Sequence, residues 1–132
     1  MLKSKIHRAT ITGSDLNYEG SIEIDSSLMQ AAGIMPFEQV DIWNITNGER
    51  FSTYALSASR NSGTMAVNGA AARKVQTGDE IIITTYAWMS EKQARSFKPV
   101  VVFVDKRNRL KVGGNIGHGL AKKQPLHLAH DA

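Results

Sequence analysis

Apolar positions in this chain alternate over short stretches more often than they recur at helical spacing. Residues 2–12 (LKSKIHRATIT) partly alternate and are rich in β-branched side chains, which predicts a strand. Ser21–Asp25 (SIEID) alternates, with Ile22 and Ile24 on one face. Ser26–Ala32 reads as a short helix, with Ser26 or Ser27 as N-cap and Gly33 as the stop. Residues 40–46 (VDIWNIT) predict a strand. Asn47-Gly48 then signals a two-residue type I′ hairpin turn, and residues 50–57 (RFSTYALS) form the returning strand. A short strand over 64–67 ends at Asn68-Gly69, and residues 70–75 make at most a helical turn. Residues 80–88 (EIIITTYAW) predict a buried strand, Glu91–Ser96 a short helix, and residues 99–105 a last apolar strand. About seven strands with two or three small helices predict a β barrel or sandwich. No internal repeat of 20–50 residues is visible in the sequence.

The length of 132 residues predicts one domain. The chain has no cysteine, which excludes a disulfide framework, an Fe–S cluster, a thiolate zinc site and a cysteine nucleophile. No apolar run reaches the ~20 residues of a membrane helix. The basic N-terminal residues have no apolar stretch behind them, so the expected compartment is the cytoplasm. The net charge of +4 invites a nucleic-acid reading, but residues 1–104 carry 10 basic and 10 acidic side chains. The excess lies in residues 105–132, which also hold four of the eleven glycines and three of the four histidines. The expected organisation is therefore a barrel domain over 1–104 and a flexible, solvated basic tail over 105–132, with no nucleic-acid or membrane partner.

Asn44-Ile45-Thr46 matches a glycosylation sequon by chance. The tail glycines form neither a P-loop nor a dinucleotide fingerprint. His7, His118, His127 and His130 lack carboxylates at ligand spacing, so no metal site is expected. Trp43, Phe51 and Tyr54 stand in apolar strands, which favours packing over a base-stacking platform.

Tyr18-Glu19-Gly20-Ser21 just precedes a strand and carries the most specific chemistry. A serine hydroxyl can attack the preceding carbonyl and turn an amide into an ester. Glycine there leaves the carbonyl uncrowded and permits strained backbone angles. β-Elimination and hydrolysis then leave a pyruvoyl ketone, which can form a Schiff base with a substrate amine and act as an electron sink.

The blocks KIHR (residues 5–8), YEGS (18–21), VDIWNITNGERFSTYA (40–55) and VNGAAA (67–72) together resemble the pyruvoyl-dependent aspartate 1-decarboxylases. The resemblance implies a mostly β fold, a six- to seven-stranded double-psi β barrel with short helices. It implies a homotetramer with sites between subunits and self-cleavage between Gly20 and Ser21. The covalent pyruvoyl cofactor would come from Ser21, with no metal and no pyridoxal phosphate. The reaction implied is L-aspartate to β-alanine and CO2, for pantothenate and coenzyme A synthesis.

The residues themselves agree with that chemistry. A dicarboxylate substrate needs a cation; Arg50 can grip a carboxylate in planar, bidentate fashion, and Lys5 is a second cation that the resemblance places in the site. The carbanion left by decarboxylation needs a proton, and Tyr54, a phenol protonated at neutral pH, is the expected donor. The resemblance assigns the Thr53 hydroxyl to the Gly20 carbonyl region, although a regular strand points Thr53 and Tyr54 to opposite faces. Asn68 and the amides of Gly69, Ala70 and Ala71 can approach a ligand and stabilise an oxyanion. Tyr18 and His7 match supporting positions. Two other readings compete: an uncleaved barrel serving as a binding or regulatory module, and an RNA-binding protein driven by the tail.

Overall fold

The computed structural model describes residues 1–111. Eight strands occur in chain order: β1 (Leu2–Thr10), β2 (Gly13–Asp15), β3 (Ser21–Asp25), β4 (Gln39–Asn44), β5 (Arg50–Ala58), β6 (Met65–Asn68), β7 (Glu80–Tyr86) and β8 (Val100–Phe103). Helix α1 (Ser26–Ala32) follows β3, a 3-10 helix (Gly69–Lys74) follows β6, and α2 (Glu91–Ser96) precedes β8.

The sheet order is β2-β6-β3-β5-β4-β7-β1-β8. Because β1 and β2 are two halves of one bent strand, β2 at one end and β1 near the other close the sheet on itself. The joint is sealed where Thr12 N donates to Met65 O and Met65 N donates to Thr12 Oγ1, each at 2.8 Å. Arg8, in the left-handed region at φ 67, and the register shift between His7 and Ala9 supply the bend. The result is a closed barrel of six strands with β8 laid parallel along β1.

The connectivity is twofold. The first half, β1/β2–β3–α1–β4, matches the second, β5–β6–3-10 helix–β7. The leading strand of each half pairs parallel with the middle strand of the other (β2 with β6, β5 with β3). It also pairs antiparallel with the other's last strand (β1 with β7, β5 with β4). These interlocked halves make the double-psi barrel, a repeat of structure that the sequence does not show. Closure gives the small domain no free barrel edge and fills its interior with Ile6, Ile22, Ile24, Val40, Ile42, Met65, Val67, Ile81 and Ile83, all fully buried.

Three local expectations change. The N-cap of α1 is Asp25, whose Oδ1 accepts from Ser27 N and Ser27 Oγ while its two oxygens also take the N–H groups of Asn61 and Gly63. A carboxylate that satisfies two segments at once outcompetes a serine hydroxyl. The β4–β5 turn is not a two-residue type I′ turn, since Gly48 (φ 81) but not Asn47 has a positive φ. Asn44 instead accepts Gly48 N at its backbone oxygen and Thr46 N and Asn47 N at its side chain, which lengthens the loop. Packed structure also continues past residue 104. Val104 bridges Leu110, and Asn108, 1% exposed, binds Thr10 and Gly63. The rest of the basic tail, residues 112–132, lies outside the described residues.

Candidate active site

Alternation along β3 sends Ile22 and Ile24 inward and leaves Ser21 and Glu23 on the other face. Ser21 is nevertheless fully buried, because it pairs with Asn68 at the end of β6. Asn68 Nδ2 lies 3.3 Å from Ser21 Oγ and 2.7 Å from Glu23 Oε2. Gly69, the next residue, has a left-handed φ of 76°. A Cβ on Gly69 would stand 2.5 Å from Gly20 Cα, 2.7 Å from Gly20 N and 3.2 Å from Tyr18 O. The 18–20 segment therefore crosses directly over Gly69, and the Gly20–Ser21 junction is pressed against the Asn68–Gly69 corner.

Gly20 does not use the backbone freedom that a glycine permits. Its φ is not left-handed, and a Cβ there would meet nothing within 4 Å. The close approach belongs to Gly69, not to backbone strain at Gly20. Ala70 and Ala71 follow in the first turn of the 3-10 helix.

The β3–β5 ladder begins at Ile22 opposite Ala55. Counting back, Ser21 and Gly20 leave β3 at the level of Tyr54 and Thr53. Unbroken β4–β5 register keeps Thr53 on the inward parity of Phe51 and Ala55, and Tyr54 on the outward parity of Arg50 and Ser52. Tyr54 stacks on Phe37, with ring centroids 6.3 Å apart. Arg50 lies four residues further along β5, about 13 Å away at strand rise. Its guanidinium sits 4.6 Å over the Trp43 ring, a contact that steadies the cation and leaves its N–H edge for a carboxylate.

Lys5 and His7 stand on the outward face of β1. The row Arg50–Trp43–Ile82–His7 crosses four neighbouring strands, so Arg50 and His7 are about 14 Å apart. One chain thus gathers Tyr18, Gly20, Ser21, Thr53, Tyr54, Asn68, Gly69, Ala70 and Ala71 around one corner, while Lys5, His7 and Arg50 lie across its outer face. The sequence reading missed Glu23 and Phe37. The SIEID alternation already placed Glu23 beside Ser21; Phe37 comes from a turn with φ 72 and left no periodic signal.

His7 Nδ1 is buried and finds no hydrogen-bond partner among the described residues, and its ring meets Phe103 edge-on at 5.5 Å. Burial lowers its pKa below the ordinary 6.5, the positive charges of Lys5 and Arg8 lower it further, and Glu80 opposes them. Between the lowered value and 6.5 the unfolded chain binds more protons than the folded one, so folding stability falls as pH drops through that window. Between about pH 7.5 and pH 5, the urea midpoint of the wild type should therefore fall more steeply than that of His7→Gln. Parallel curves would contradict this.

The family profile described as Aspartate decarboxylase matches residues 1–111. A protein of Xanthomonas campestris pv. campestris named Aspartate 1-decarboxylase is 59% identical over 110 residues, spanning 83% of this chain and 87% of that protein. One of the same name from Stenotrophomonas maltophilia is also 59% identical, over the same shares. A third, from Syntrophus aciditrophicus, is 54% identical over 111 residues, or 84% of this chain and 96% of its own length. Among solved structures, the rationally designed mkDPBB_sym_86 protein aligns with a TM-score of 0.45 at 10% identity, over 62% of this chain and 95% of that one.

Proposed function

The chain belongs to the aspartate decarboxylase family, and from that premise we propose that it builds its own catalytic group by cleaving between Gly20 and Ser21. The enzyme is a lyase that converts L-aspartate to β-alanine and CO2, a step that serves pantothenate synthesis.

The observation that carries the proposal is the Gly20–Ser21 junction pressed onto Asn68–Gly69, with the Ser21 hydroxyl buried beside an amide donor. The Oγ–C bond forms at the Gly20 carbonyl carbon as the C–N bond breaks, and the hydroxyl proton passes to the released nitrogen. Loss of the Ser21 Cα proton expels the Gly20 carboxylate from Cβ. Water then converts the enamine to a ketone and ammonia. Thr53, level with Gly20, assists at the carbonyl. Asn68 and the amides of Gly69, Ala70 and Ala71 offer donors to the oxyanion; each donor of this kind is worth about 10²–10³ in rate.

The same corner would hold a pyruvoyl group at position 21, with Asn68 Nδ2 left as a nearby donor once Ser21 Oγ has departed with the Gly20 carboxylate. That group supplies an electrophilic carbonyl that condenses with the substrate amine and accepts electrons as CO2 departs. The chain's own residues do the rest. Arg50 grips a substrate carboxylate, Lys5 adds a second positive charge, and Tyr54 Oη delivers the proton that replaces CO2. Tyr18 and His7 line the approach.

Lys5 and Arg50 sit too far from Ser21 along one barrel to serve the same substrate. We therefore assign the working form to a homotetramer whose sites combine neighbouring subunits. Exposed Met35, Phe37, Tyr86 and Trp88 give the outer surface apolar area for such contacts. The proposed compartment is the cytoplasm; among the described residues no helix is long and apolar enough to cross a membrane.

Phenylhydrazine, which condenses with ketones, tests the assignment. It should label the fragment that begins at residue 21 and stop CO2 release from L-aspartate. Undiminished release, or labelling elsewhere, would contradict it.

A further inference from the structure

Ser21, Glu23 and Asp25 share one parity on β3, but their tasks differ. Asp25 is committed to capping α1 and holding the 61–63 loop. Glu23 has no such duty. Among the described residues its carboxylate forms no ion pair, and it accepts a 2.7 Å hydrogen bond from Asn68 Nδ2. Asn68 stands opposite Ser21 in the register and reaches Glu23 along the diagonal. The residue directly opposite Glu23 is Ala66, whose methyl leaves that diagonal open.

A carboxylate only accepts, so it can face the nitrogen of a carboxamide but not its oxygen. Glu23 therefore decides which end of Asn68 turns toward Ser21. At 2.7 Å against 3.3 Å, the Glu23 contact is the stronger anchor of the two.

We infer that Glu23 is a positioning residue for self-cleavage, which it serves by keeping an Asn68 N–H aimed at Ser21 Oγ. The inference rests on the reading that Ser21 Oγ attacks the Gly20 carbonyl. Reversing the carboxamide would put Asn68 Oδ1 at Ser21, where it would hold the hydroxyl proton that must reach the new amine. With Nδ2 in place, that proton is free to leave. The N–H stabilises the negative charge that Oγ carries as its proton departs; that charge passes to the Gly20 carbonyl oxygen as the Oγ–C bond forms, and is released when the C–N bond breaks.

The test follows the appearance of the two fragments in the full-length chain by mass spectrometry, with melting temperatures measured alongside. Glu23→Ala should slow cleavage by about 10- to 100-fold, the equivalent of losing a hydrogen bond to a charged group. Glu23→Gln keeps an acceptor oxygen and should recover most of the rate. In an Asn68→Ala background, Glu23→Ala should add no further slowing, because the effect runs through Asn68. Should Glu23→Ala not fold, Glu23→Met keeps the stem, removes the acceptor and carries the same comparison. A wild-type rate in Glu23→Ala, or the same slowing with and without Asn68, overturns the inference. Ser21→Ala is run in parallel: fragments from that variant would defeat the self-cleavage reading itself, a result distinguishable from failure of the Glu23 role.

Discussion

Ser21→Ala should remain a single uncleaved chain of about 14.4 kDa and produce β-alanine from L-aspartate only at the uncatalysed background. No other hydroxyl replaces the lost one. Thr53 stands at the level of Gly20 but on a different strand, so it cannot become the residue that carries the ketone. The fold should survive. Ser21 Oγ makes one long contact, 3.3 Å to Asn68, and its loss shifts stability by no more than about 1 kcal/mol. Melting temperature and intact mass measured on the same sample separate loss of chemistry from loss of structure. A cleaved Ser21→Ala protein, or one that still turns over aspartate, would remove the serine from the mechanism.

Gly69→Ala should be strongly damaging. The left-handed φ of 76° costs an alanine roughly 1–2 kcal/mol. Its Cβ would also lie 2.5 Å from Gly20 Cα, backbone that yields only by moving the 18–20 segment. Overpacking adds about 1–3 kcal/mol, so the melting temperature should drop by about 10 °C and cleavage should stall even below it. Gly20→Ala makes the contrast: one methyl at the neighbouring position meets nothing within 4 Å, and stability should change by less than about 1 kcal/mol. Equal stability losses in the two variants would mean that the tight approach of the two glycines is not what holds this corner.

Much of the architecture was legible because its signals are local. Ile22 and Ile24 marked β3, Gly33 stopped α1, and α2 spans Glu91–Ser96 as the pattern placed it. The twofold interlock was not legible. It arises from pairings such as β2 with β6 and β3 with β5, between residues far apart in sequence and with no repeated motif to advertise them. The hairpin turn misled because Asn44, three residues before Asn47, captures the loop's amides and displaces the two-residue turn.

The site followed the same division. Gly20-Ser21 and Asn68-Gly69 were readable as motifs, yet their contact needed the β3–β6 register. Glu23 was hidden by its ordinariness, an acidic residue on the polar face of an alternating strand. Lys5 and Arg50 were readable as cations, but only the fold shows that β4 and β7 separate their strands within one chain.

The most direct test of the central claim is the intact mass of the purified wild-type chain under denaturing conditions. Self-cleavage predicts two species: a fragment ending at Gly20, and one beginning at residue 21 whose mass is lower than that of the same fragment with an N-terminal serine by one ammonia. A single species at the mass of the whole 132-residue chain, in a sample that releases CO2 from L-aspartate, would contradict it.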